Sequence, residues 1–224
     1  MLKFLGVGAA YNYEKNNNCA YFTVGTKLYL LDCGEKICDK LLKEKLLDGI
    51  DEVFCLITHL HSDHVGSLEP LLYYIHYFTD KKIYIFYPKK NRLKKLLKLM
   101  GINFKFEVYN NFNLIKDIHV ETVVQKHIYG SYGFFIYTDK ENIFYSGDTS
   151  VLNERAVNEL KSGKIDKLYH EVTISQNSMI HTHISVLENA FPKEIRNKVY
   201  LMHIANKKTE ETARKLGFMI CEER

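Results

Sequence analysis

In Thr58-His59-Leu60-His61-Ser62-Asp63-His64, three imidazoles and one carboxylate fall within six residues at the end of an apolar run. No packing role calls for that combination. Neutral imidazole nitrogen and carboxylate oxygen are ligands that Zn2+, Fe2+ or Mn2+ accept, and the absence of cysteine from the cluster favours a catalytic metal site over a closed structural one. One cluster cannot complete such a site, so later residues must converge on it. Three follow apolar, strand-like runs: His127 ahead of Gly130-Ser131-Tyr132-Gly133, Asp148 in Ser146-Gly147-Asp148-Thr149, and His203 after Val199-Tyr200-Leu201-Met202. In a sheet-based enzyme, strand ends are where side chains from distant segments meet. Taken singly, His127 or His203 reads as a satisfied core histidine; only the full set of seven lifts them.

The elements that must position these residues are strands joined by tight turns. Apolar patterning predicts strands over residues 2–6, 20–24, 27–32 and 53–58, with Gly25-Thr26 as a hairpin turn and a helix over 35–47 between the third and fourth. A helix is expected over 68–78, a strand over 82–86, and a lysine-rich helix over 89–100 that Gly101 ends. Strands follow over 118–124, 133–138 and 142–146, then shorter ones over 167–169 and 198–202, with helices over 185–190 and 209–216. This order suggests two layers of sheet flanked by helices.

A chain of 224 residues with 46% hydrophobic residues can bury one substantial core, so residues 1–224 are expected to form a single domain. Its apolar stretches fall far short of the ~20 residues of a membrane span. Met1-Leu2-Lys3-Phe4 reads as strand rather than signal peptide, and a soluble cytoplasmic protein is the expectation. Cys19, Cys33, Cys38, Cys55 and Cys221 form no C-x-x-C pair and are odd in number, which argues for reduced thiols. The net charge of +4 is mild. Its densest run, 89–98, has Leu93, Leu96 and Leu97 at helical spacing, so the lysines read as a solvated helix face before they read as a nucleic-acid contact. His76 reads as part of a helix packing face and His119 as a strand residue, and Tyr73, Tyr74, Tyr77 and Phe78 as core or dimer contacts, although a nucleobase would stack on such rings.

These residues carry a resemblance to the metallo-β-lactamase superfamily, and within it to the ribonuclease Z and cyclic-nucleotide phosphodiesterase branch. Phe4-Leu5-Gly6-Val7-Gly8-Ala9-Ala10 resembles the opening glycine loop, Leu30-Leu31-Asp32-Cys33-Gly34 the second motif, and residues 58–66 the signature. Asp148 and His203 match the bridging carboxylate and the last histidine, and His127 ahead of Ser131-Tyr132-Gly133-Phe134 resembles that branch's third-histidine segment. The resemblance implies an α/β fold, an αββα sandwich of two mixed sheets flanked by helices. It also implies two metals, zinc foremost, with Mn2+ or Fe2+ as alternatives. His59, His61 and His127 would hold one, Asp63, His64 and His203 the other, and Asp148 would bridge them. Two such cations, about 3.5–4 Å apart, can share a hydroxide and stabilise charge on the attacking and leaving oxygens at phosphorus. Asp63 is expected to orient that hydroxide.

The leaving oxygen still needs a proton. Within His181-Thr182-His183-Ile184-Ser185, His183 precedes a helix and is the favoured general acid, with His181 as competitor; both lie near where ribonuclease Z relatives carry a catalytic histidine. His170-Glu171-Val172-Thr173 resembles the family's His-Glu-Ala-Thr segment, and Glu171 is read as fixing the tautomer of a ligating or catalytic imidazole, with a solvated surface Glu as the alternative.

Metal-bound hydroxide serves many substrates, so the fold does not settle the reaction. Ribonuclease Z enzymes carry a tRNA-gripping arm between the third histidine and the bridging aspartate, whereas here only 21 positions separate His127 from Asp148. That interval points to a small diester, a 3′,5′-cyclic mononucleotide hydrolysed to the 5′-monophosphate. The phage-encoded anti-Pycsar phosphodiesterases, compact members of the branch that destroy cyclic-nucleotide immune signals, are the functional analogy. A ribonuclease Z-like RNA 3′-end endonuclease is the alternative reading, and a non-catalytic nucleotide-binding module the alternative of another class. Homodimers are common in the branch, and the aromatic helix after the signature is the candidate interface.

Overall fold

A computed structural model describes residues 2–12 and 14–223. Two six-stranded sheets carry all the named strands. The first runs in sequence order through β1 (Lys3–Gly6), β2 (Cys19–Val24), β3 (Lys27–Leu31), β4 (Glu52–Leu56), β5 (Lys82–Phe86) and β6 (Val108–Tyr109). The second runs through β7 (His119–Val124), β8 (Tyr132–Tyr137), β9 (Asn142–Tyr145), β10 (Lys167–Glu171), β11 (Val199–Met202) and β12 (Met219–Ile220). Both are mixed, antiparallel over the first strands and parallel over the rest.

Register in the first sheet is written into its side chains. Phe22 pairs with Tyr29, Tyr29 with Phe54 and Phe54 with Tyr84, and their rings stack at 4.8, 4.8 and 4.9 Å. Such cross-strand pairs contribute about 0.5–1.5 kcal/mol each beyond burial, and a one-residue slip would send every ring to the opposite face. Alternation in the second sheet serves two cores. Phe134, Ile136, Ile143, Tyr145 and Tyr169 join the core shared with the first sheet, while Phe135, Phe144 and Leu168 pack outward with Leu160, Leu187 and Ala213.

Helices cover both outer faces: α1 (Ile37–Lys43), α3 (Leu68–Phe78) and α4 (Lys90–Leu99) against the first sheet, and α5 (Glu154–Ser162), α6 (Ile184–Ala190) and α7 (Lys207–Lys215) against the second. The short α2 (Ser62–Val65) lies within the histidine signature. This is the expected αββα sandwich. The helix expected over 35–47 is shortened because Lys36 and Lys45 adopt left-handed backbone (φ 65° and 55°), which helical hydrogen bonding excludes. α5, β6 and β12 lie where sequence patterning had placed no element. α5 starts at Asn153, whose side chain accepts from Ala156 N at 2.9 Å, and ends at Gly163 in the left-handed region.

Among the described residues, no helix is long and apolar enough to cross a membrane. All five cysteines are free and buried.

Candidate metal centre

Every predicted ligand leaves a strand at the same edge of the sandwich. The segment 58–64 follows β4, His127 follows β7, Asp148 follows β9 and His203 follows β11; β4 runs parallel to β3, and β9 and β11 both run parallel to β10. Two of these exits need unusual backbone. His203 has φ 56°, and Gly147 has φ 58° with no room for a Cβ, which would lie 2.8 Å from the Tyr132 carbonyl oxygen and 2.9 Å from Thr58 Cβ. Left-handed backbone at a non-glycine residue is sparsely populated and concentrates at functional sites.

The ligand atoms gather into two groups that share Asp148. His59, His61, His127 and Asp148 form one, and Asp63, His64, Asp148 and His203 the other, with the donor atoms of each group within 4.8 Å of one another. Asp148 Oδ2 lies 3.4 Å from His203 Nε2, 3.5 Å from His64 Nε2, 3.7 Å from His127 Nε2 and 3.9 Å from His59 Nε2. Its position between the groups fits a bridging carboxylate.

The hydrogen bonds behind the ligands fix their tautomers. His64 Nδ1–H donates to Asp32 Oδ2 (2.8 Å) and His127 Nδ1–H to the Ile180 carbonyl (2.8 Å). Thr58 Oγ1 donates to Asp32, so its lone pair accepts from His59 Nδ1–H at 3.0 Å. In each of the three, Nε2 is left with a lone pair facing the group. His59 Nε2 and His127 Nε2 each lie 3.1 Å from His61 Nδ1, so the three nitrogens converge on one point that a cation could occupy. Among the described residues, His64 Nε2 and Asp148 Oδ1 are buried with no hydrogen-bond partner. These orphaned atoms and the all-N/O donor set fit divalent cations.

The electrostatics differ between the two groups. Burial holds His59, His61 and His127 below the ordinary imidazole range, aided at His59 by the neighbouring His64, so they remain neutral ligands. At His64, burial also lowers the pKa, but Asp148 and Asp32 outweigh it and hold the imidazole well above its usual range, so with no cation the ring favours both protons and a metal at Nε2 would have to displace one. Burial would raise Asp63 and Asp148, yet the surrounding histidines hold both carboxyls low: His203 and His64 at each, with His59 also at Asp148.

Asp32 carries no role in the sequence reading beyond its motif, yet the structure makes it the hub behind both groups. It is fully buried with φ 68°, accepts from Thr58 N (2.7 Å) and receives the His64 proton. The signal available in sequence was a lone carboxylate closing the apolar run Leu28-Tyr29-Leu30-Leu31, an expensive place for a charge without partners.

The structure separates the two candidate general acids in space. His183 caps α6, its Nδ1 accepting from Ser185 N (3.3 Å) and lying 2.8 Å from Ser185 Oγ, so its ring is committed to its own helix. His181 instead faces the centre, its ring 5.1 Å from that of His127 and 5.3 Å from that of His203. Glu171 stands behind it, Oε2 3.4 Å from His181 Nδ1, and neither of these buried atoms has a hydrogen-bond partner among the described residues. Fully buried rather than solvated, Glu171 accepts from Thr182 N (2.8 Å) and Thr149 N (3.3 Å), and burial with the nearby Asp148 charge pushes its carboxyl up. Glu171, His181 and His203 form a third group of convergent donors. His76 and His119 lie outside all three groups: His76 stacks on Phe104 at 3.9 Å, and His119 meets Glu121 at 3.2 Å.

The fold and the sequence both have known counterparts. The chain is similar to the metallo-β-lactamase fold protein YhfI of Bacillus subtilis (TM-score 0.75, 15% identity, covering 98% of this chain and 94% of that one). It is also similar to the short form of human tRNase Z (TM-score 0.70, 22% identity, covering all of this chain and 96% of that one). At these identities the likeness shows the fold. A curated relative, the anti-Pycsar protein Apyc1 of Paenibacillus sp. (strain J14), is 27% identical over 222 residues, covering 92% of this chain and 89% of its own. The family model for anti-Pycsar protein Apyc1 matches residues 1–223, and the chain belongs to that family.

Proposed function

We propose that this protein is a metal-dependent phosphodiesterase that hydrolyses 3′,5′-cyclic mononucleotides to 5′-monophosphates, and that it thereby removes a cyclic-nucleotide immune signal. The observation that carries the substrate class is the span between His127 and Asp148. It holds β8, a turn and β9, and both strands are built into the second sheet, so among the described residues no arm rises beside the centre to grip a folded RNA. The family membership supports the same reading.

Two divalent cations, zinc foremost with Mn2+ or Fe2+ as alternatives, fit the donor groups. When bound they supply charge stabilisation at phosphorus and acidify the attacking water. His59, His61 and His127 would hold one, Asp63, His64 and His203 the other, and Asp148, common to both donor groups, would serve each. Asp63 Oδ2, 3.1 Å from His203 Nε2 and 3.4 Å from His64 Nε2, is placed to orient the water. Water attacks phosphorus and the P–O3′ bond breaks. His181, with Nδ1 turned to Glu171, delivers a proton from Nε2 to O3′. Glu171 touches no reacting atom in this scheme; its Oε2 faces His181 Nδ1 from behind at 3.4 Å without a hydrogen bond between them.

The exposed Tyr77 and Phe78 on α3 supply an apolar face for the homodimer we propose, and the protein is taken to act as one cytoplasmic domain. The basic face of α4 favours a second reading, a ribonuclease Z-like endonuclease. Incubating the metal-loaded protein with cyclic AMP, cyclic CMP and cyclic UMP beside precursor tRNA separates them. Cleavage of tRNA alone refutes the cyclic-nucleotide reading, and a purified protein that binds no zinc, iron or manganese and cleaves nothing supports a non-catalytic module.

A further inference from the structure

Two loops frame the metal centre. Residues 125–131 carry His127, residues 174–181 carry His181, and the bond from His127 Nδ1–H to the Ile180 carbonyl ties them together. Tyr129 lies two residues beyond His127, so their Cα atoms are within about 7 Å. Its side chain is 71% exposed, yet it is not loose. Arg92 donates from Nη1 to the Tyr129 carbonyl at 2.7 Å and sets its guanidinium 5.0 Å from the ring centroid, while Lys89 Nζ lies 5.4 Å from that centroid. Tyr87 Oη donates to the next carbonyl, that of Gly130, at 2.7 Å. Gly130 has φ 91°, and a Cβ there would lie 2.6 Å from Tyr87 Oη and 3.4 Å from Arg92 Nη1.

Lys89, the residue before α4, and Arg92 in its first turn both stand within 5.4 Å of the ring centroid, while Tyr129 remains mostly exposed, so much of the ring surface stays open to solvent. Fixing an exposed aromatic side chain costs conformational entropy that no buried area returns. A ring on an anchored backbone, set against a guanidinium and largely exposed, is disposed to receive another planar group.

We propose that Tyr129, backed by Arg92, is the platform on which the nucleobase of the substrate stacks, with Lys89 and Arg92 adding positive field toward the cyclic phosphate. The inference rests on the cyclic-nucleotide reading and makes Tyr129 a specificity-determining residue. Stacking needs only the π-face that every base presents, so the platform admits purines and pyrimidines alike and rejects diesters without a base.

The test uses the metal-loaded full chain with Tyr129→Ala, Tyr129→Phe and Arg92→Ala. Substrates are cyclic AMP, cyclic UMP and the baseless 1-O-methylribose 3′,5′-cyclic phosphate, followed by phosphorus NMR. Tyr129→Ala is expected to raise KM for both nucleotides by about 5- to 150-fold, with kcat and metal content little changed and the baseless diester unaffected. Tyr129→Phe should retain wild-type KM, and Arg92→Ala should give part of the Tyr129→Ala effect. A Tyr129→Ala variant that leaves nucleotide KM unchanged, or that slows nucleotides and baseless diester equally, overturns the platform and leaves the phosphodiesterase reading standing. Wild-type protein that hydrolyses no cyclic nucleotide overturns that reading, and the platform with it.

Discussion

Asp32→Asn isolates what the hydrogen bonds behind the centre do. Asn tolerates the left-handed backbone at this position, so the variant changes hydrogen bonding without adding the strain that Ala would. The carboxylate accepts at both oxygens, from Thr58 N (2.7 Å) at Oδ1 and from His64 Nδ1–H (2.8 Å) at Oδ2. An amide offers one acceptor and one donor. The Thr58 N–H cannot move its proton, so the amide oxygen stays with Thr58 and the NH2 faces His64. His64 must then carry its proton on Nε2, the atom directed at Asp63 and Asp148 at 3.4 and 3.5 Å, and its lone pair is lost to the centre. Removal of a partner behind a metal ligand costs 10- to 100-fold in metal affinity, about 1.4–2.7 kcal/mol. The assay is competition for zinc against a chromogenic chelator at neutral pH, with circular dichroism to confirm that the fold persists. An Asp32→Asn protein that binds zinc within twofold of wild type would show that Asp32 does not set the His64 tautomer, and the account of the site would fail at that point.

The choice between the two candidate acids is tested by paired variants: His181→Ala should lower kcat by about 10²- to 10⁴-fold with metal content preserved, whereas His183→Ala should change kcat by less than tenfold and cost about 1 kcat-independent kcal/mol of stability through the lost cap. The reverse pattern restores His183. His170 is fully buried, donates from Nδ1 to the Glu171 carbonyl (2.7 Å), and burial lowers it from 6.5 to about 4. The unfolded chain takes up a proton below pH 6.5 that folded His170 refuses. The stability this residue contributes is therefore present above pH 6.5 and lost as pH falls from 6.5 toward 4, by about 3 kcal/mol. Urea unfolding of metal-free wild type and His170→Gln at pH 7.5 and 4.5 should show the smaller loss in the variant; equal losses refute the assignment. Burial raises Cys19, Cys221 and Cys38, the last to about 12, so the native protein should react negligibly with a thiol-specific disulfide reagent at pH 8 and release all five thiols in denaturant. Rapid modification of any native thiol would mean that the core opens there.

The donors of the metal centre were legible because their chemistry does not depend on the fold. Histidine and aspartate at the ends of apolar runs have few packing uses, and strand ends are where side chains from distant segments can meet. β-strands were read well for a similar reason, since alternation and the Phe22, Tyr29, Phe54 and Tyr84 faces are local facts. α5 escaped notice because its apolar face is thin, with Ala156, Glu159 and Leu160 as its buried residues; its caps, Asn153 and Gly163, do more to define it than its hydrophobicity.

By itself, the sequence determined which atoms can meet a metal and roughly where each leaves its strand, because residue type and period are properties of short segments. Tertiary structure alone decided which of two histidines faces the centre. A position before a helix is a local signal, and it selected His183; but a side chain that caps its own helix is held there. His181 is brought to the metal ligands by bonds from residues far along the chain: His127 to the Ile180 carbonyl, Thr182 N to Glu171, and Thr182 Oγ1 to the Thr149 carbonyl at 2.8 Å. The same long-range contacts turned Asp32 from a motif residue into the acceptor that orients His64 directly and His59 through Thr58, a role no local pattern encodes because its partners lie 26 and 32 positions away.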